Sequence, residues 1–416
     1  MNTPTRTKEW ERVKLGEVCE ETENYDPTKK PHKPFTYIDV SSVSSKSLAI
    51  ENPAVLLGKD APSRARKLVR KGDTIFATVR PTLRRVAKVP ETLDGQVAST
   101  GYCVVRADQY KADADFIYFT LCTTEVMDYV RSIERGVSYP AISDKDLLRF
   151  SLELPPLPEQ KDIARVLTTV QAAIAEQERL IEKLKELKRS MMSHLFTHGI
   201  KGEKTKMTEI GEIPESWEVV ELGNLCEVKG GKRLPKGDKL TSTNTGLPYI
   251  RVTDLLENSV DLSNIQYLHP ETQKAITRYT ITTKDIYISI AGSIGFMGII
   301  PDEIEGANLT ENAAKLCLRT DDVQQKFLMY WLSADQVQRD IKSQTVKNAQ
   351  PKLALARIQK LSCVLPKADE QEQIVRALDS IGTAVSVTAT KIDVYRSLFK
   401  TLLHELMSGE RRVKNI

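Results

Sequence analysis

The residues that could do chemistry are few in this chain, and their spacing suits none of the reactions they suggest. Pro301-Asp302 with Asp340-Ile341-Lys342 can be forced into the PD…(D/E)-x-K pattern of a metal-dependent nuclease, but Asp340 falls in a predicted helix. His194 and His198 stand four apart on one helical face and could share a metal, yet no carboxylate between them completes H-E-x-x-H. The stretch KGGKRLPKG (229–237) has the glycines and lysines of a phosphate loop at the wrong spacing. Neither an N-P-P-aromatic tetrad, as base methyltransferases use, nor a G-x-G-x-x-G turn occurs. The six cysteines (Cys19, Cys103, Cys122, Cys226, Cys317, Cys363) are scattered, with no C-x-x-C, so no disulfide framework or zinc site is expected and a reducing cytoplasm fits. The beginning, MNTPTRTKEW, has no apolar leader, and the most apolar run, ISIAGSIGFMGII (288–300), is short and broken by Gly and Ser. Neither export nor a membrane span is expected.

Charge is more informative in its distribution than in its sum. The chain has 416 residues and a formal charge of +4 from 60 basic and 56 acidic residues. Between Lys59 and Lys88, however, ten Lys and Arg face two acids, a density that attracts phosphate through counterion release. Taken alone, such a run is usually a solvated face, so the elements that carry it must decide.

Those elements are duplicated. LPPLPEQKDIARVL (154–167) returns as LPKADEQEQIVRAL (365–378), displaced by 211 residues. EWERVKLGEVCE (9–20) matches SWEVVELGNLCE (216–227), pairing Trp10 with Trp217, Gly16 with Gly223 and Cys19 with Cys226. FTYIDVSSV resembles LPYIRVTDL, GDTIFATV resembles KDIYISIA, and DFIYFTL resembles KFLMYWL. In the first copy, the counterpart of Asp340 has no nuclease triad around it. Each copy reads as short strands and helices, an α+β globe, followed by a long helix. The expected division is 1–153, a first globe; 154–198, a first helix; 199–215, a polar linker; 216–364, a second globe; 365–409, a second helix; and 410–416, a tail.

The helical tracts carry a heptad seam. Its apolar positions are Ile163, Leu167, Val170, Ile174, Ile181, Leu184, Met191 and Leu195, with Gln177 and Lys188 in the gaps. The second copy has Ile374, Leu378, Ile381, Val385, Ile392, Tyr395, Leu402 and Leu406, with Thr388 and Phe399 in the corresponding gaps. At 1.5 Å per residue each helix is roughly 55 to 60 Å long. A stripe of that length needs a partner of equal length, and antiparallel pairing of the two copies about a pseudo-two-fold axis buries both seams. Parallel pairing is the alternative. Gln177 and Thr388 are candidates for a polar pair that fixes register.

Two similar globes with dissimilar faces suit a target in two unequal parts. SRARKLVRKGD and TVRPTLRRVAKV in the first globe stand against LHPETQKAITRYTITTKD and SIAGSIGFMGII in the second. The whole chain resembles the specificity subunit of Type I restriction-modification enzymes. The likeness rests on the paired LPPLPEQ and LPKADEQ phrases, on IGEIPESWEVVELG (210–223), and on DTIFATVRPTLRRVAKV followed by ASTGYCVVR. It implies two target-recognition domains, each reading half of a bipartite site in double-stranded DNA, and two helices that act as ruler and docking surface. It further implies two methylation subunits using S-adenosylmethionine, and restriction (motor-nuclease) subunits using ATP and Mg, with no cofactor bound by this chain. The absent catalytic motifs then make sense.

Base and phosphate contacts should come from Arg, Lys, Asn, Gln, Ser and Thr on loops. In the first globe the candidates are Arg64, Arg66, Lys67, Arg80, Arg84, Arg85, Ser99, Thr100 and Tyr139. Tyr139 belongs to RGVSYPAI (135–142), which matches VKNAQPKL (346–353) and resembles the family's DNA-facing loop. In the second globe they are Lys232, Arg233, Lys236, Arg251, Ser293, Asn312, Lys347, Asn348, Gln350 and Lys352. Tyr37, Phe76 and Leu83 are expected in the core. Two other readings are an enzyme whose site includes Asp302 or Asp340, and a coiled-coil scaffold indifferent to DNA sequence.

Overall fold

The computed structural model describes residues 10–136, 138–343 and 352–413. The two helical tracts are continuous helices, Leu157–His198 and Ala368–Met407. The chain forms two compact units, 1–179 with 389–416, and 180–388. The division therefore cuts through both long helices, and does not separate globes from helices.

The two units repeat one topology. In the first, Glu11–Lys14 pairs antiparallel with Ser151–Leu154; in the second, Glu218–Glu221 pairs antiparallel with Ser362–Leu365. A four-stranded sheet orders Cys19–Glu20, Tyr102–Ala107, Thr74–Ala77 and Val86–Lys88, and its counterpart orders Cys226–Gly230, Ala313–Leu318, Asp285–Ser289 and Met297–Gly298. A second sheet in each unit contains one parallel pair, Pro34–Ile38 with Val97–Ser99 and Pro248–Ile250 with Asn308–Leu309. The segment expected to be a polar linker contains a β-hairpin, Thr205–Thr208 with Gly211–Pro214. Gly211, which follows the two-residue turn and pairs with Thr208, has a φ of +105°, open to glycine at no steric cost.

The duplicated Glu-Gln explains why the opening phrase recurs. Pro158 stands in the first turn of the first long helix, where a missing N–H costs nothing. Gln160, almost fully buried, donates to the Pro155 and Lys111 carbonyls at 2.8 and 3.3 Å and accepts from the Asp113 N–H at 2.8 Å. Gln371 does the same with the Pro366 and Asp322 carbonyls and the Gln324 N–H, at 2.9, 2.8 and 2.7 Å. Each amide thus ties the start of a long helix to the loop that leads into a helix of its globe. The neighbouring glutamates accept from indoles, Glu159 from Trp10 at 3.3 Å and Glu370 from Trp217 at 3.1 Å. Burying a Gln satisfied on three sides avoids the penalty of unpaired polar groups.

Within each unit the long helices run antiparallel. In the first, Ile163 and Leu167, near the start of one helix, share a core with Leu406, near the end of the other. In the second, Leu195 and Phe196 share a core with Ile374 and Leu378. The exits confirm the direction. Arg412, beyond the second helix, pairs with Glu159, and the Ile200 N–H, beyond the first, donates to Glu370 at 3.1 Å. Both exits turn at a glycine with positive φ, Gly199 at +67° and Gly409 at +74°. Ile163, Leu167, Leu195, Ile374, Leu378, Ile381, Ile392 and Leu406 are buried; Val170, Ile174, Ile181, Leu184, Met191, Val385, Tyr395 and Leu402 are half-buried. Buried Thr388 donates back to the Ala384 carbonyl at 2.7 Å, a bond within its own helix. Of the three expected core residues, Tyr37 and Phe76 are buried, but Leu83 is 48% exposed. It sits at the apex of a turn, where no sheet covers it.

Candidate nucleic-acid interface

Three segments far apart in sequence converge in the first unit. The strand Thr74–Ala77 continues to Thr78, whose N–H donates to the Gly101 carbonyl at 2.8 Å and whose carbonyl accepts from the Ile142 N–H at 2.9 Å. Val79 pairs with Ala141, and the Arg80 N–H donates to the Pro140 carbonyl at 2.7 Å. The turn at 99–101 is joined to the basic run by the Thr100 N–H, which donates to the Arg64 carbonyl at 2.8 Å. Backbone pairing thus places Arg64, Arg80, Thr100 and Tyr139 on one surface, all exposed. The Arg80 guanidinium lies over the Tyr139 ring, 4.7 Å from its centroid.

The loop from 79 to 86 is built under strain. Arg80 and Arg84 both adopt left-handed backbone, with φ of +50° and +55°, on either side of the turn Pro81–Leu83. For a residue with a Cβ this costs roughly 1–2 kcal/mol each, and such cost concentrates where a side chain must be aimed. The result presents Leu83 between two exposed arginines, an apolar tip flanked by cations. Sequence reading missed Leu83 because a leucine between polar neighbours reads as core; the arginine-rich turn after Pro81 was the available signal.

Other candidates are committed to the fold. Ser99 is fully buried, and its hydroxyl accepts from the Gly101 N–H at 3.2 Å, so it cannot reach a base edge. Lys67 is held by Asp144 at 2.6 Å. Arg66 donates to the Ala65 carbonyl at 2.7 Å and lies 3.5 Å from Asp26. Arg85 turns inward to the Val40 carbonyl at 2.6 Å. These three are half-buried and brace the loops that carry Arg64, Arg80 and Arg84.

The second unit repeats the frame with a different face. The Ile290 N–H donates to the Asn312 carbonyl at 2.8 Å, the Leu353 N–H donates to the Ile290 carbonyl at 2.9 Å, and Ala291 pairs with Lys352. Where the first unit has Arg80, the second has Gly292 with φ of +77°, followed by exposed Ser293. Asn312, half-buried, takes the place of Gly101, and Glu311 that of Thr100. Lys352 Nζ donates to the Glu311 carbonyl at 3.2 Å, and Glu311 also holds Arg233 at 2.7 Å. Lys232 is exposed above the Tyr279 ring at 5.6 Å, and Lys236 is exposed nearby in sequence. Arg251 is committed inward: it chelates Asp254, with contacts of 2.6 and 3.0 Å, and donates to the Asn264 carbonyl at 2.9 Å. Lys347, Asn348 and Gln350 lie outside the described residues.

The rings of His194 and His198 lie tilted at 51°, with centroids 4.9 Å apart. Among the described residues no three His, Cys, Asp or Glu side chains group as a metal would need, Asp302 and Asp340 included. The described cysteines are free, and burial pushes the Cys226 thiol up to about 12, far from a nucleophile's range.

A duplicated frame with unequal polar loops is the arrangement of a two-part reader. The family profile described as Type I restriction modification DNA specificity domain matches residues 7–186 and again 214–394. The chain belongs to that family. Among its relatives, the Type I restriction enzyme MjaVIII specificity subunit of Methanocaldococcus jannaschii is 24% identical over 319 residues, 75% of this chain and 74% of that one. The Type I restriction enzyme EcoBI specificity subunit of Escherichia coli is 26% identical over 331 residues, 74% and 68% of the two chains. A chain solved in a study of complex assembly and conformational transition of the type I R-M system is 28% identical, with a TM-score of 0.60 over 97% of this chain and 99% of its own. The Type I S subunit from M. genitalium shares the fold, with a TM-score of 0.58 at 13% identity, over 98% of each chain. As a specificity subunit, this chain is a DNA-recognition component of a Type I system. Among its described residues no helix is long and apolar enough to cross a membrane.

Proposed function

We propose that this specificity subunit reads a bipartite target in double-stranded DNA, one half-site per unit, and performs no catalysis itself. The observation that carries this reading is the repeated three-segment frame: Thr78, Gly101 and Ile142 in one unit, and Ile290, Asn312 and Leu353 in the other, are joined by equivalent backbone bonds while their loops differ. Arg64, Arg80, Arg84, Thr100 and Tyr139, with Leu83 as an apolar contact, are the first unit's reading set. Lys232, Lys236, Ser293, Asn312 and Lys352 are the second's, joined by Lys347, Asn348 and Gln350. Arginine forks suit guanine edges or phosphates, and Asn, Ser and Thr suit mixed donors and acceptors. The long helices set the unspecified gap between half-sites and dock two methylation subunits and the restriction subunits. Those partners hold S-adenosylmethionine, ATP and Mg, and this chain holds no cofactor. The complex works in the cytoplasm.

The test is methylation mapping. The chain is co-expressed with its methylation subunit in a methylation-free host, and the genomic DNA is read by a modification-sensitive method. A two-part motif with methyladenine in both halves is expected. Absence of methylation from an assembled complex would refute the reading and favour a scaffold. Metal-dependent cleavage by the purified chain alone, abolished by Asp302→Asn or Asp340→Asn, would refute the non-catalytic part.

A further inference from the structure

The second unit contains a groove of about 850 Å³, lined by the first long helix, the helix Asp335–Ser343 and the turn around 256–259. Its floor is apolar, made by buried Met192, Phe196, Met297 and Ala334. Its rim is basic. Lys188 and Arg189 project from the long helix and Arg339 from the short one, against Glu257 and Asp335. Among the described residues, Arg189 and Arg339 pair with no carboxylate, and Lys188, half-buried, rests on the Tyr330 ring at 4.8 Å. Two buried polar atoms in the lining, Asn258 Oδ1 and Gln336 Nε2, have no hydrogen-bond partner among those residues. Unpaired groups of this kind are uncommon in a finished protein surface.

The first unit supplies an internal comparison, because the helices that line the groove repeat at a displacement of 211 residues. Gly382, beside whose Cα there is open space, corresponds to Gln171, which donates to the Tyr118 hydroxyl at 3.1 Å. Lys188 corresponds to Phe399, which packs on Phe119 with centroids 6.0 Å apart. Arg339 corresponds to Asp128, bound to Arg131 at 2.7 Å. On the same scaffold, these positions carry bulk and reversed charge. The groove is therefore not a by-product of the fold.

Its chemistry selects a kind of partner. A phosphate backbone is met by polar, cationic surface and backbone N–H groups, whereas a floor of Met, Phe and Ala would leave phosphates unsolvated and unpaired. An amphipathic segment lays apolar side chains on such a floor and its carboxylates on the arginine rim, where charge-assisted bonds form. We propose that this groove docks an acidic amphipathic segment of a partner protein, and that the second unit alone does so, making one of two pseudo-equivalent positions the site of an asymmetric attachment.

The experiment places the photoreactive residue p-benzoylphenylalanine at Asp335 in the full chain, or at its counterpart Thr124, co-expressed with the partner subunits of its system. After irradiation the adducts are sequenced by mass spectrometry. The expected result is an adduct from position 335 to one partner segment in which Asp and Glu outnumber Lys and Arg, with at least tenfold less from position 124. Arg339→Asp and Gly382→Gln, which give the first unit's residues, each reduce that adduct at least tenfold while the complex still binds its DNA target. An adduct to DNA, an adduct to a neutral or basic segment, equal yields from the two positions, insensitivity to both substitutions, or no adduct at all would each overturn the proposal. Loss of DNA recognition with the adduct intact would count against the bipartite reading and leave the groove standing.

Discussion

Replacing Arg80 by glycine separates the cost of holding a side chain from the use made of it. In the folded protein Arg80 has φ of +50° and its guanidinium covers Tyr139 at 4.7 Å. Glycine relieves roughly 1–2 kcal/mol of left-handed strain. Against that stand about 0.5–1 kcal/mol of extra chain entropy in the unfolded state and about 0.5–1 kcal/mol for an exposed cation–π contact. These nearly cancel, so stability should change by less than about 1 kcal/mol, roughly 2–4 °C in Tm for a unit of this size. Binding should change far more. A bidentate arginine–guanine pair is worth about 1–3 kcal/mol, or roughly 5- to 150-fold in Kd at 1.4 kcal/mol per decade. A phosphate contact would instead lower the slope of log K against log salt by about 0.9. The assay is fluorescence anisotropy on a duplex carrying the mapped target, across a salt series, with Arg80→Lys alongside. Lysine should rescue a phosphate contact and fail at a bidentate base contact. Unchanged affinity in Arg80→Gly would refute placing this loop on DNA. A collapse in stability would show that the arginine serves the fold.

Three further outcomes are expected. Gln160→Ala, or Gln371→Ala, leaves a buried N–H and buried carbonyls unpaired and should destabilise its unit by about 2–4 kcal/mol; a change under about 0.5 kcal/mol in thermal unfolding would show that the amide is dispensable. Asp285 is buried, which pushes its carboxyl up, but bonds from Cys317, Thr282 and Lys315 outweigh that and hold it below the usual range. A carboxyl depressed in the folded state contributes stability above its unfolded value of about 3.9 and loses it as pH falls through the folded value. Wild type should therefore lose stability below about pH 4 more steeply than Asp285→Asn, and parallel acid unfolding curves would contradict this. Inserting one helical turn at the same depth in both long helices should lengthen the unspecified gap in the mapped motif and leave both half-sites intact. Altered half-sites with an unchanged gap would show that the helices are not the ruler.

The duplication, the heptad seams and the absence of catalytic motifs are all legible in the chain itself, because each depends on periodicity or on residue types at short range. The recurring Glu-Gln is visible as a word, but its meaning is not: Gln160 reaches Lys111 and Asp113, and Gln371 reaches Asp322 and Gln324, across some fifty residues of intervening chain. The same limit governs the reading surface. Composition singles out the arginines of the first globe, yet only long-range pairing distinguishes Arg80 and Arg84, aimed outward, from Arg66, Lys67 and Arg85, which brace the fold. Ser99 and Leu83 exchange their expected places for the same reason. Burial belongs to a neighbourhood assembled by the sheets, and a residue's own type cannot specify which neighbours arrive. The groove of the second unit is the extreme case, since Gly382, Lys188 and Arg339 are unremarkable in sequence and acquire a joint meaning only where three elements bring them to one cavity.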